Sequence, residues 1–266
     1  MPDPDLSATS SLATHGFHRL KDVLDTKSHM GASARFVVDH FDRILAATEA
    51  AVPTRGQPVR FARPADPDIG KTQRERLWEF AAYSLWSRVP CDVKGSWRTL
   101  LAYQLPLFDS QTKDGWGYVD LLGVMPTQEP CVVELKKEPG RGSNGGSEGT
   151  ETPLRMVLEA AGYAVALRSH WGHFAAEWNA CLGRPRENTA VPENVHLVAA
   201  APAGFWLEWN RWTPRGRNKL GPGDWHALRD LCDLLERRGY PVHFVSLSGS
   251  PEAPDTLCVQ PLELFD

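Results

Sequence analysis

Cysteine is scarce in this chain, and its arrangement offers no framework. The five cysteines, Cys91, Cys131, Cys181, Cys232 and Cys258, are odd in number, widely spaced and free of any CxxC pair. A disulfide scaffold is therefore not expected, and buried thiols in a reducing cytoplasm are. Long apolar runs are missing too. No stretch approaches the ~20 residues that a membrane helix requires, and the N-terminus has neither the basic start nor the apolar centre of a signal peptide. Nor is there an excess of positive charge: the formal net charge is -4 and the pI is near 6.1. Any surface for a polyanion must then be local rather than global. Gly145-Gly-Ser-Glu-Gly149 fits Gly-x-Ser-x-Gly in letters, but it lies inside a Gly-rich run with no apolar strand leading into it, so no elbow supports a serine nucleophile.

The 266 residues allow one large domain or one domain with an appendage. The first 15 residues are rich in Ser, Thr, Asp and Pro, as flexible termini are. Phe36, Val37, His40, Phe41, Ile44 and Leu45 recur at helical spacing and predict one accessory helix from Ser33 to Ala51. Pro53, Pro58, Pro64 and Pro67 then mark an extended connector. The expected division is residues 1–70 as N-terminal extension and 71–266 as the main domain. That domain opens on a helix over about Thr72 to Arg88, with Leu77, Trp78, Ala81, Ala82, Leu85 and Val89 as its apolar face. Strands are expected at Thr99–Phe108, Tyr118–Met125, Cys131–Leu135, Val195–Ala200 and Val242–Leu247. Helices are expected after Thr152-Pro153, as N-cap and first position, and from Asp224 to about Arg238. This order argues for an α/β domain with a mixed central sheet.

The chemistry concentrates in Gly117-Tyr-Val-Asp120 and Val133-Glu134-Leu-Lys136. The two runs read as strands joined by the turn Pro126–Pro130, and a hairpin would bring Asp120 and Glu134 side by side. Glu134 and Lys136 are two apart and share one face of their strand. Charges among apolar strand residues are normally paired, shifted in pKa or bound to metal. Two carboxylates can hold a hard divalent cation such as Mg2+ or Mn2+, and a lysine beside them can act on a water or stabilise a transition state. The same residues also describe a buried Asp and a strand-end Glu/Lys salt bridge on an ordinary mixed sheet.

The Asp, the short separation to Glu-Leu-Lys and the apolar flanks resemble the PD-(D/E)XK nuclease superfamily, over roughly Lys71 to Leu247. Val119 precedes Asp120 where the family often has Pro, a variation it tolerates. The resemblance implies a restriction-endonuclease-like fold, with a mixed sheet flanked by helices and an N-terminal helical extension. It also implies metal-dependent hydrolysis of phosphodiester bonds, with DNA as the default substrate. Asp120 and Glu134 would hold the cation and Lys136 would serve the attacking water. The family's preceding helix often adds a Glu. Glu75, at the edge of the apolar stripe, is the choice, with Glu79 lying further toward solvent. Two alternatives stay open: a catalytically silent nucleic-acid-binding or protein-interaction module on the same fold, and an unrelated α/β protein.

Other features carry less. Gly140-Arg-Gly-Ser-Asn-Gly145 matches GxGxxG, but the predicted helix starts too late for its N-terminus to meet a pyrophosphate, and a loop over the site is the better reading. Glu159 and Tyr163 are one turn apart, where some relatives of the nuclease superfamily carry Gln-x-x-x-Tyr. Glu159 stands in place of that Gln, Tyr163 reads as core, and Arg155 reads as a solvated charge. His170-Trp-Gly-His173 has a metal-like spacing without a completing ligand set. Phe205, Leu207 and Trp209 alternate with Trp206, Glu208 and Asn210 as in a half-buried strand. Beyond Trp212, the loop carrying Arg215, Arg217 and Lys219 is the densest uncompensated cationic cluster and the candidate nucleic-acid contact.

Overall fold

A computed structural model describes residues 20, 30–61, 74–107, 117–137, 152–209 and 222–265. Over these residues the chain builds one six-stranded mixed sheet whose strands are neighbours in chain order. The strands are β1 (Thr99–Pro106), β2 (Tyr118–Val124), β3 (Pro130–Leu135), β4 (His196–Pro202), β5 (Val242–Ser250) and β6 (Ala253–Pro261). β1 to β3 form an antiparallel meander, β3, β4 and β5 run parallel, and β6 returns antiparallel. β3 and β4 are buried along their whole length. Their near-continuous apolar sequences are those of central strands covered on both faces.

Seven helices lie among the described residues: α1 (Met30–Asp39), α2 (Phe41–Ala50), α3 (Arg74–Trp86), α4 (Pro153–Ser169), α5 (Trp171–Cys181), α6 (Ala203–Trp209) and α7 (Pro222–Arg237). One face of the sheet packs on Trp78, Ala81, Ala82 and Trp86 of α3. The other packs on α4, with Leu154, Val157, Leu158, Ala161 and Val165 buried there. α4 starts as the sequence predicts: the Thr152 hydroxyl accepts from the Arg155 N–H at 3.0 Å, and Pro153 takes the first turn. α1 lies against α7 and α2 against α4, so Met30, Val37, Phe41 and Ile44 join the same apolar cluster as the main sheet.

Several expectations need correction. The single helix over Ser33–Ala51 is two helices with His40 between them. Phe205–Trp209 is helical rather than a strand: Phe205, Trp206 and Trp209 are buried, while Leu207 is 55% exposed. That set fits a helical face and breaks the alternation a strand would need. α5 and β6 were not anticipated. Of the thiols, Cys91 and Cys131 are buried, Cys232 is half-buried, and Cys181 and Cys258 are exposed. The Gly-rich loop 139–149, Trp212 and the Arg215–Lys219 loop lie outside the described residues. No helix among those described is long and apolar enough to cross a membrane.

Candidate active site

The β2–β3 hairpin brings the predicted carboxylates together. The chain reverses at Met125–Glu129, where the Gln128 N–H donates to the Met125 carbonyl and Gln128 takes a left-handed φ of 69°. This turn pairs Leu122 with Val132. Two residues further along each strand, on the same face, come Asp120 and Glu134. The Asp120 carboxylate is tied to its partner strand, since Oδ2 accepts from the Leu135 N–H at 3.0 Å. Gly117, at φ 68°, leads into β2; a side chain there would press within 3.3 Å of the Tyr163 hydroxyl. Glycine is therefore suited to this entry on both conformational and steric grounds.

Lys136 is enclosed by acids from three elements. Its ammonium donates to Glu134 Oε1 at 2.7 Å and to Glu159 Oε2 at 3.0 Å, and lies 3.9 Å from Glu75 Oε1. Glu159 is held from behind by Arg155, which donates to its Oε1 at 3.0 Å. The reading of Arg155 as a solvated charge thus gives way to an ion pair one helical turn long. From the sequence, Glu159 reads only as a residue standing in place of a Gln. The available signal was its isolation: Arg155 and Glu159 are the only charged residues of α4 before Arg168.

The helix acid also needs revision. Glu75 does reach toward Lys136, but Glu79, expected nearer solvent, is 2% exposed. Its Oε2 accepts from the Gln104 amide at 2.5 Å, and the same Nε2 reaches Asp120 Oδ1 at 3.3 Å. The reason is position along the axis. Glu75 occupies the first turn of α3, at the end of the helix. Glu79 sits one turn deeper, within hydrogen-bond reach of Gln104 on β1. Gln104 had no sequence signal beyond a single amide within an otherwise apolar strand.

Burial dominates the electrostatics. It pushes Asp120 up to about 7, against the opposing pull of Lys136 and the Leu135 N–H. Burial and then the Asp120 charge push Glu79 up to about 8, opposed by the Gln104 bond. Glu134 is raised well above its ordinary range by burial and by Asp120, with Lys136 opposing. Glu159 goes the other way: although burial works against it, Lys136 leads the contacts that hold it below the ordinary carboxylate range. Tyr163 is pushed upward by burial and by Glu134, Glu159 and Asp120.

Glu134 Oε2 is buried and accepts no hydrogen bond. Glu159 adds to the rise at Glu134 only after burial and Asp120, and Glu134 adds to the fall at Glu159 only after Lys136. A buried acceptor without a donor is what a cation satisfies, so the donor set fits a hard divalent ion. Among the described residues, no three His, Cys, Asp or Glu converge as a ready-made metal cage. Mg2+ does not require one, since it is usually held by one or two carboxylates together with water and phosphate. His170 is engaged elsewhere, with its Nε2 2.6 Å from the Pro53 carbonyl.

No family model matches this chain, and no curated protein or solved structure matches it either.

Proposed function

We propose that the chain is a Mg2+- or Mn2+-dependent nuclease of the PD-(D/E)XK type, on a restriction-endonuclease-like fold, acting on DNA. The observation that carries the reading is the convergence of Asp120, Glu134 and Lys136 at one end of β2 and β3, with Glu134 Oε2 buried and unpartnered. The helix–meander–helix order of α3, β1–β3 and α4 supports it, as does the mixed sheet. DNA as the substrate comes from the sequence resemblance.

Asp120 and Glu134 would hold the ion. When bound, it supplies positive charge against the phosphate and acidifies the attacking water. Asp120 is presented by the Leu135 N–H, so its carboxylate is aimed before any ligand arrives. Lys136 orients the water and faces the charge that develops on the phosphoryl oxygens. Glu159 and Glu134 fix the ammonium from two sides, so little reorganisation remains at the moment of reaction. Without a cation the site is rich in acids, with Glu75, Glu134 and Glu159 against Lys136 and Asp120 and Glu79 beside them, a poor surface for a polyanion. Nucleic-acid binding here therefore couples to ion binding.

Purified full-length chain is expected to cleave DNA with Mg2+ or Mn2+ and to stop in EDTA. Asp120→Ala and Glu134→Ala should abolish cleavage while keeping the fold, because each removes a buried like charge. Activity that survives both substitutions would overturn the assignment. Tight binding of DNA without cleavage under any metal condition would favour the silent binding module.

A further inference from the structure

Gln104 occupies an unusual position in β1. The flanking pairs Tyr103↔Leu121 and Leu105↔Val119 set it opposite Asp120. Its backbone φ is 46°, the left-handed region that a glutamine in a strand seldom adopts. From there its single amide nitrogen reaches two acids on different elements, Glu79 of α3 at 2.5 Å and Asp120 of β2 at 3.3 Å. The amide must present its NH2 to both, because its carbonyl oxygen would face two acceptors. Each hydrogen-bonded carboxylate oxygen keeps a second lone pair. The amide can therefore hold the two acids together without using up their capacity to ligate.

We infer that Gln104 is a positioning residue: its amide, anchored on Glu79, fixes the Asp120 carboxylate that would face the divalent ion. The inference rests on the metal-dependent reading above. Glu79 and Asp120 come from separate elements; the Leu135 N–H holds Oδ2 of Asp120, and the amide ties its Oδ1 to the α3 carboxylate. One amide between them sets two hydrogen bonds against their mutual repulsion. The unusual backbone has a direct use here: it directs the side chain of residue 104 toward the α3 carboxylate while β1 stays in register with β2. Second-layer groups of this kind set ligand orientation, and losing one typically weakens metal binding roughly 10–100-fold.

The test uses the full chain and Mn2+ alone, titrated by calorimetry. Thermal stability is measured in EDTA, and DNA cleavage is followed as a function of Mn2+ concentration. Gln104→Asn keeps an amide and tolerates the left-handed backbone better than Gln, but is one methylene too short to span both acids. Gln104→Gly relieves the backbone and removes the amide altogether. Both should bind Mn2+ at least about 10-fold more weakly, with a cooperative melting transition in EDTA confirming that each is folded. Turnover should recover as Mn2+ is raised, a rescue that a folding defect would not show. Unsubstituted chain that binds Mn2+ while both variants match its affinity overturns the role of Gln104 and leaves the nuclease reading standing. Unsubstituted chain that binds no Mn2+ overturns both.

Discussion

The Lys136 ammonium meets the Glu159 carboxylate at 3.0 Å, and Arg155 holds the other oxygen of the same carboxylate at the same distance. Glu159 is therefore the hinge of a charge chain running from a half-exposed arginine to a buried lysine. Glu159→Ala should remove one of the two close carboxylates from Lys136, leaving Glu134 at 2.7 Å and the more distant Glu75. A shift of the ammonium of about 1 Å can cost on the order of 100-fold in rate, so turnover should fall by roughly 10- to 100-fold. The Michaelis constant for DNA should change little. Glu159→Gln, which keeps an acceptor oxygen, should retain more activity than the alanine variant. Equal turnover in both variants and the original chain would remove Glu159 from the site's function.

The far end of the sheet carries a second polar array, and it predicts a pH dependence. Glu129 Oε2 lies 2.9 Å from His196 Nε2, and His196 Nδ1 lies 2.9 Å from His243 Nε2, with the two rings stacked. An ionised Glu129 only accepts, so with both rings neutral His196 donates to it and in turn accepts from His243. Burial, reinforced by His196, lowers His243 from an ordinary value near 6.5 to about 4. Between those values the unfolded chain binds a proton that the native state refuses, so stability is full above the window and is lost as pH falls through it. At 1.36 kcal/mol per unit the upper bound is about 3 kcal/mol, and partial solvent access reduces the expected loss to ~1–2 kcal/mol. Urea unfolding at pH 7 and pH 4.5, on the original chain and on His243→Phe, isolates this contribution from the general effect of acid. The phenylalanine variant should lose less stability between the two conditions, and parallel losses would remove His243 as the cause.

The misread segment after β4 yields a stability prediction. Trp206 Nε1 donates to the Ala201 carbonyl at 3.1 Å and to the Val245 carbonyl at 3.0 Å, so α6 clips together the ends of β4 and β5. Trp206→Phe keeps an aromatic ring but removes the indole N–H that reaches both carbonyls. An unsatisfied buried group costs about 1–3 kcal/mol, and the urea midpoint should fall by that amount with the slope unchanged. A loss below about 0.5 kcal/mol, the ordinary surface range, would mean that the clip is not formed.

What the sequence made legible was local, and what it hid was three-dimensional. The β2–β3 hairpin could be read because Pro126–Pro130 marks a turn and both flanks are continuously apolar, so the pairing of Asp120 with Glu134 followed. The α4 start could be read from Thr152-Pro153. Phe205–Trp209 could not, because five apolar-rich residues satisfy both periods until a neighbouring sheet selects one. β6 was hidden because an edge strand buries little: of Ala253–Pro261 only Leu257 and Val259 are buried. Glu79 was misplaced because a helical wheel records angle and ignores depth along the axis. Gln104 was invisible because its role depends on two residues, one 25 positions before it and one 16 after it.

The final prediction separates chemistry from binding. Lys136→Ala should lower turnover far more than DNA affinity, since a group acting on the attacking water matters chiefly in the transition state. Arg215, Arg217 and Lys219, which lie outside the described residues, should behave in the opposite way. The chain carries a net charge of -4, and its candidate site is rich in carboxylates. Attraction for a polyanion must therefore come from a local cluster, and this loop concentrates three cations within five residues. Each phosphate contact contributes about 0.9 to the slope of log affinity against log salt for duplex DNA. Replacing all three by alanine should reduce that slope by up to about 3 and weaken binding at low salt, with saturated turnover little changed. Binding measured across a salt series on the triple variant decides the matter. An unchanged slope would return the loop to the solvated surface and shift the search for the DNA contact elsewhere.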